Sequence, residues 1–582
     1  MSKMITGGMD LNLERKPDLQ ADLLIIGGGT AGPMAALKAK RKNPSLDVLI
    51  VDKATVRRGG SICRGMDAFN NVTIPGKATI EEYVESIQLM SDGIIDPNLS
   101  RIIAEKSFGI LQELESLGVA SFPRYENGEY MVQQFHPRGA FLAEMRGDIK
   151  PVMEKLIRGA GVRILNRTMA SRILTENGRA VGATLLNIRT GEFQVCRAKS
   201  IILCTGGQGR FALPDTGYLF GTFDCPYNAG EGHSMIYHAG GKLVNMEYND
   251  VSPMLKDYEG PGHSTFIRHG GHLVNSLGER FMTKYAPDML ERAPSGIREQ
   301  AMRTEVREGR GPIYYDLRHL AKETIQIIKE GIFAAERPTE KQFFEMRGID
   351  IGNDLIEITL SGPNMCGGHG PTGALVDENA ETTVKNLYAA GDIASTGWGF
   401  VGAAWVFGMI AAETAAELDA KISFGNVDEQ MAEAEYQRLL APTQREDGFD
   451  PTEMEYKVRR IIKPHLTSPK SQARLESALG QIDAFRRDMT NVKVTDSHEL
   501  MKFVEVGAII DTLEMAVRAS LERKESRWGY GHHRMDYPQK NPDWDKKYVV
   551  AAKDQASGHM TTYAQAVPEM KMQEDTDDGN PR

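Results

Sequence analysis

Three glycines spaced Gly27-x-Gly29-x-x-Gly32, with Asp52 twenty residues further on, are the residues of this 582-residue chain with the clearest chemical meaning. At the turn between a strand and a helix, that spacing cradles a pyrophosphate. The first glycine allows the tight turn, the second lets the phosphate reach the backbone, and the third lets helix and strand pack closely. The amides at the helix start, here Thr30 and Ala31, face the phosphates, and an acid at the end of the next strand accepts from ribose hydroxyls. The alternative reading is a purely structural glycine turn.

Two later loops share the character: Thr205-Gly206-Gly207 and Gly391-Asp392 each follow a short apolar run. A fourth stretch, Arg57-Arg58-Gly59-Gly60-Ser61, offers backbone donors just after the second strand. Separate glycine-bearing loops of this kind fit FAD lying extended, with Asp392 on its ribitol chain. Lys53, Met169, Ala170 and Phe400 complete the expected cofactor contacts.

The elements that must position these loops follow from the pattern. Asp22–Ile26 and Asp47–Val51 are apolar runs of the kind expected in parallel strands buried on both faces, with an Ala-rich helix from Pro33 to Lys40 between them. Ser200–Cys204 and Leu387–Ala390 read as further buried strands, and Gly178 and Gly191 as hairpin turns between residues 163 and 195. From about residue 410, five stretches have apolar residues near helical spacing. The fold class is therefore α/β: a Rossmann-like FAD-binding domain over 21–230 and 366–425, with an inserted α+β capping domain over 231–365. A C-terminal helical domain over 426–545, an N-terminal arm over 1–20 and a mobile tail over 546–582 complete the organisation.

Composition narrows the function classes. A net charge of -10 argues against a nucleic-acid partner. The five cysteines include no C-x-x-C pair, which argues against a disulfide framework, a structural metal site or an iron–sulfur cluster within the chain. The first twenty residues lack the apolar core of a secretory signal, and the longest apolar runs are strand-sized, so a cytoplasmic protein without a transmembrane segment is expected.

The chain resembles the flavoprotein subunits of the succinate dehydrogenase, fumarate reductase and adenylylsulfate reductase superfamily. The resemblance rests on Val274–Met282 with Tyr285-Ala286-Pro287, on Glu305–Ile313, and on Arg523–Arg527 with Arg534–Pro538 and Trp544. It implies an FAD domain, a cap over the flavin and a helical domain, with substrate between cap and flavin. Departures are informative. Dicarboxylate enzymes of the superfamily attach FAD to a histidine in the loop after the second strand; residues 57–72 contain none, which implies non-covalent FAD. Their carboxylate clamps and proton-shuttling arginine fall at Ser252, Phe400 and Ser295, so a dicarboxylate would lack charge-assisted hydrogen bonds worth about 1.5–3 kcal/mol each.

The adenylylsulfate reductase branch is more similar, at Arg58-x-Gly60, Gly65–Asn70, Ile297-Arg298 and Gly368-His369-Gly370. That likeness implies substrate-pocket positions at Asn70, Arg298 and His369. Met254 stands where that branch carries an arginine, and the run Trp398–Trp405 is too apolar for a sulfated nucleotide.

His369 suits proton transfer and Arg298 suits stabilising an oxyanion. The plainer alternatives are a backbone-bonded loop histidine and a structural ion pair to Glu299 or Glu305. Arg268 and His269 in the cap are either closing residues or a solvated turn. Trp398, Phe400 and Trp405 form either an aromatic wall or core. No metal site is expected, and His532-His533 is read as adjacent helical histidines pointing apart.

The expected function is that of an FAD-dependent oxidoreductase flavoprotein, which works on a small, rather apolar organic substrate and exchanges electrons with a separate ferredoxin-like iron–sulfur subunit. The alternatives are a self-sufficient oxidase using oxygen and a non-catalytic electron conduit.

Overall fold

The computed structural model describes residues 11, 13–64, 68–134, 138–213, 224–258, 264–330 and 338–571. Part of the Gly65–Asn70 stretch, residues 65–67, lies outside them.

Strands β1 (Leu19–Ile26), β2 (Val48–Asp52), β3 (Arg163–Asn166), β4 (Thr168–Glu176), β5 (Arg179–Asn187), β6 (Glu192–Leu203) and β7 (Leu387–Ala389) build the principal sheet. Its order is β3-β2-β1-β6-β5-β4, with β7 paired to the end of β6. The strands β3, β2, β1, β6 and β7 run parallel, in a register that aligns Ile50, Ile25, Ile202 and Tyr388. Leu23–Ile26 is buried on both faces, as its unbroken apolar run requires. β4, β5 and the first half of β6 form an antiparallel meander whose turns at Gly178 and Gly191 have positive φ.

Helix α1 (Ala31–Lys42) follows β1 and packs on α3 (Phe400–Leu418), while α2 (Ile149–Gly159) leads into β3. Small residues set the α1–α3 separation: a Cβ on Gly408 would lie 2.6 Å from the Ala31 carbonyl oxygen. α3 begins at Phe400, so Trp405 sits inside a helix and is 1% exposed. Among the described residues, Phe400–Lys421 is the stretch long and apolar enough to cross a membrane, and 78% of its apolar window is buried within the fold.

A second, separate core gathers Val251, Phe266, Leu273, Ile313, Tyr315, Ile356 and Leu360 around a four-stranded antiparallel sheet. This is the cap, but its core starts later than the expected residue 231. Helix Glu231–His238 and strand Leu243–Val244 instead pack into the main core through Met235, Ile236 and Leu243. The C-terminal helices (Pro451–Leu466, Gln472–Met489, Ser497–Glu522) follow the sequence closely and share the main core.

Both expected chain ends need correction. Leu13 is buried, Glu14–Arg15 pairs with β6, and Arg15 binds Glu429 and Glu433, so the arm is docked from there on. Residues 547–566 are no mobile tail: Lys547–Lys553 and Met560–Ala566 form a hairpin that pairs with Leu243–Val244. Its unbroken apolar run, Tyr548 to Ala552 with β-branched Val549 and Val550, is buried, which explains its order.

Candidate functional site

The carboxyl ends of β1, β2, β6 and β7 open onto one cavity of about 850 Å³, part of it continuous with solvent. Gly27, Gly29, Thr30 and Ala31 line it from the first loop, and Asp52 and Lys53 from the end of β2. Gly60 and Ser61, Met169 and Ala170, Thr205 and Gly206, and Gly391 and Asp392 supply the other walls. The separate glycine loops therefore do converge.

The remaining cofactor candidates stand behind this wall. Gly32 is the packing glycine: a Cβ there would lie 2.0 Å from the Gly27 carbonyl oxygen. Gly59 backs onto Thr55 and Asp52, Gly207 onto Met365, and Arg58 is exposed and does not line the cavity. Phe400, at φ 47°, has its ring 4.6 Å from that of His369.

Polar groups define the cavity's two ends. Asp52 accepts from the amides of Gly28 and Ala54, both at 2.7 Å, and so braces the glycine loop from the β2 side. Lys53 reaches Glu231, Glu505 (2.7 Å) and the Tyr227 carbonyl, and is thereby tied into a buried network with Arg210. The Thr205 hydroxyl is buried with no partner among the described residues and lines the cavity. Glycine cradle, unpartnered hydroxyl and free helix-start amides together fit the pyrophosphate and ribityl chain of FAD.

A second cluster, beyond Asp392, carries the titratable groups. His369 Nδ1 is 3.7 Å from Asp250. Burial works to lower the His369 pKa, but the neighbouring carboxylates of Asp250, Asp224 and Asp392 outweigh it and raise it to about 9. Asp392 is raised to about 7 by burial and by Asp224, against the pull of His369. Glu299 is pushed well above the carboxylate range by burial and by Asp250, with Arg298 opposing. The Tyr248 hydroxyl is likewise raised by burial and by Asp250 and Glu299. Asp250 thus acts on both groups, favouring the charged form of His369 and the neutral form of Glu299.

Other candidates are placed differently. The Arg298 guanidinium donates to the carbonyls of Glu291 (3.1 Å) and Ala293 (3.0 Å) and to the Ser295 hydroxyl. It is a backbone clamp in the cap rather than an ion pair to Glu305. His269 Nδ1 donates to the Thr265 carbonyl within its own turn, at 2.9 Å, and Arg268 ends that short helix. Asn70 lies in an irregular stretch of strand 68–72, its carbonyl against Gly402, while neighbouring Asn71 at φ 62° donates to the Trp398 carbonyl.

Trp398 packs edge-on against Tyr248, which packs in turn on Trp528; Trp405 is core and forms no wall. His532 is not helical. It follows a short 3-10 turn and contacts Lys470 and the Arg523 carbonyl. Asp224, Asp250, Tyr248 and Lys150 escaped the sequence reading, and Glu299 entered it only as an ion-pair partner of Arg298, because no local spacing marks residues that meet only in the folded chain.

Fold and cavity define a dinucleotide-binding flavoprotein, and comparison with known proteins agrees. Residues 22–404 match the FAD binding domain family, and residues 455–576 match the fumarate reductase flavoprotein C-terminal family. An FAD-dependent oxidoreductase of Methanocaldococcus jannaschii is 26% identical, over 92% of this chain and 97% of that protein. One of the subunits of the fumarate reductase (CoM/CoB) of Methanothermobacter marburgensis is 27% identical over the same shares. The fold is that of the adenylylsulfate reductase of Archaeoglobus fulgidus, at TM-score 0.87, 23% identity, and 98% and 99% coverage of the two chains. The chain belongs to the FAD binding domain family and carries the C-terminal region of the fumarate reductase flavoproteins. It is an FAD-dependent oxidoreductase.

Proposed function

We propose that this protein dehydrogenates or reduces a small, rather apolar organic substrate, such as a C–C bond next to a carbonyl, and exchanges electrons with a separate iron–sulfur polypeptide. FAD, when bound, supplies hydride exchange at its N5. The protein's own residues handle the proton and the choice of substrate.

The observation that carries the reading is the buried cluster around Asp250. His369 is cationic at neutral pH and able to give a proton from its imidazolium in reduction, or to accept one there in dehydrogenation once neutral. Glu299, whose pKa burial and the same carboxylate push upward, is a second candidate for proton transfer. An anionic substrate would meet Asp224 and Asp250 there, while the Arg298 terminal nitrogens donate to the Glu291 and Ala293 carbonyls and to Ser295. Met254, Ser252 and Phe400 offer no cation in place of the family's clamps. Asp52, Asp392 and the glycine loops are read as the cofactor contacts, without a covalent link.

Electron exchange with a partner rests on the absence of any C-x-x-C pair and on the kinship with proteins named as subunits. Anaerobic mixing with saturated ketones or acyl thioesters should bleach the oxidised flavin, and their α,β-unsaturated forms should reoxidise the chemically reduced protein, while succinate should not bleach it. Bleaching by succinate alone would overturn the substrate class. Rapid peroxide release in air, with no iron–sulfur protein co-purifying, would overturn the partner.

A further inference from the structure

We propose that Lys150 is a cofactor-positioning residue: its buried ammonium fastens the backs of two peptides in the glycine loop and so aims their amides at the FAD pyrophosphate. The inference rests on the cavity being the FAD site.

Lys150 stands in the first turn of α2, which packs on α1 beside that loop. The residue is 5% exposed, and its Nζ donates to the Gly28 carbonyl and, at 2.6 Å, to the Gly29 carbonyl. In a planar trans peptide, C=O and the following N–H point in opposite directions. Anchoring the Gly28 and Gly29 oxygens on one cation therefore turns the Gly29 and Thr30 amides the other way. Gly28, Gly29 and Thr30 line the cavity, and neither the Gly29 nor the Thr30 amide has a hydrogen-bond partner among the described residues. Asp52 holds the same loop from its opposite side through the Gly28 amide.

The cation also polarises both peptides toward an anion, as charge-assisted hydrogen bonding requires. A neutral amine would keep the geometry and lose that polarisation. Burial lowers the Lys150 pKa to about 8, against the raising influence of Asp52, Cys63 and Glu154. The other charges packed nearby are Arg57 and Arg158, both paired to Glu154, and Arg58 beside Cys63. Pyrophosphate binding favours the charged amine, so FAD affinity should weaken as pH rises through this region.

The test is the Kd for FAD of deflavinated protein, followed by flavin fluorescence quenching from pH 7 to 9. Wild type should weaken at least fivefold over that range. Lys150→Met should weaken FAD at least tenfold at pH 7 and flatten the pH profile, while Lys155→Met, exposed on the same helix, should match wild type. A flat wild-type profile, which needs no variant to fold, overturns the proposal, as does a Lys150→Met effect under tenfold or an unchanged slope. If wild type takes up no FAD at all, it is the assignment of the cavity that fails.

Discussion

Asp250 is the residue on which the proposed chemistry turns, since it holds the proton of His369 and keeps that of Glu299 from leaving. Replacing His369 by glutamine should leave FAD bound and lower kcat at least about 100-fold, the usual span of general acid–base catalysis. Steady-state turnover and the visible spectrum check this together. The same substitution should change stability with pH. The folded pKa of about 9 lies above the ordinary histidine value of about 6.5. The stabilisation is thus complete below pH 6.5 and lost as pH rises through 9. Wild type should lose melting temperature across that window, and His369→Gln should not. His369 was legible in the sequence as a loop histidine in a glycine run. Its partners were not, because Asp250 lies on a distant strand bridge to Asn364 and Glu299 on a cap helix.

At the scale of elements, the strand–loop–helix units were the most readable part, because glycine spacing and buried-strand patterns report local backbone needs. The Gly32 packing role follows from a Cβ position 2.0 Å from a carbonyl oxygen that cannot move without the loop. Gly32→Ala should therefore cost about 1–3 kcal/mol and raise the Kd for FAD, read by chemical denaturation and flavin titration. Less legible was the start of α3. Positive φ at Gly397, Trp398 and Phe400 lets the chain turn from the Asp392 loop into the helix, and bulky residues in that region gave no turn signal. The Arg298 clamp was hidden for a similar reason: two of its three acceptors are main-chain oxygens, which carry no residue code.

For the whole molecule, the FAD domain and C-terminal helices share one core while the cap keeps its own. The sequence showed the insertion but not its edge, since helix Glu231–His238 has the same composition as its surroundings and is assigned only by what it packs on. The C-terminal hairpin belongs to this scale. Cutting the chain after Lys546 removes the partner strand of Leu243–Val244 and should abolish FAD retention, and Tyr548→Ala should cost about 3–5 kcal/mol by denaturation. The central claim, that converging glycine loops hold one FAD without a covalent bond, is tested most directly by denaturing the yellow purified protein and filtering it. About one FAD per chain should appear in the filtrate; flavin retained on the polypeptide, or a colourless protein that takes up no added FAD, would contradict it.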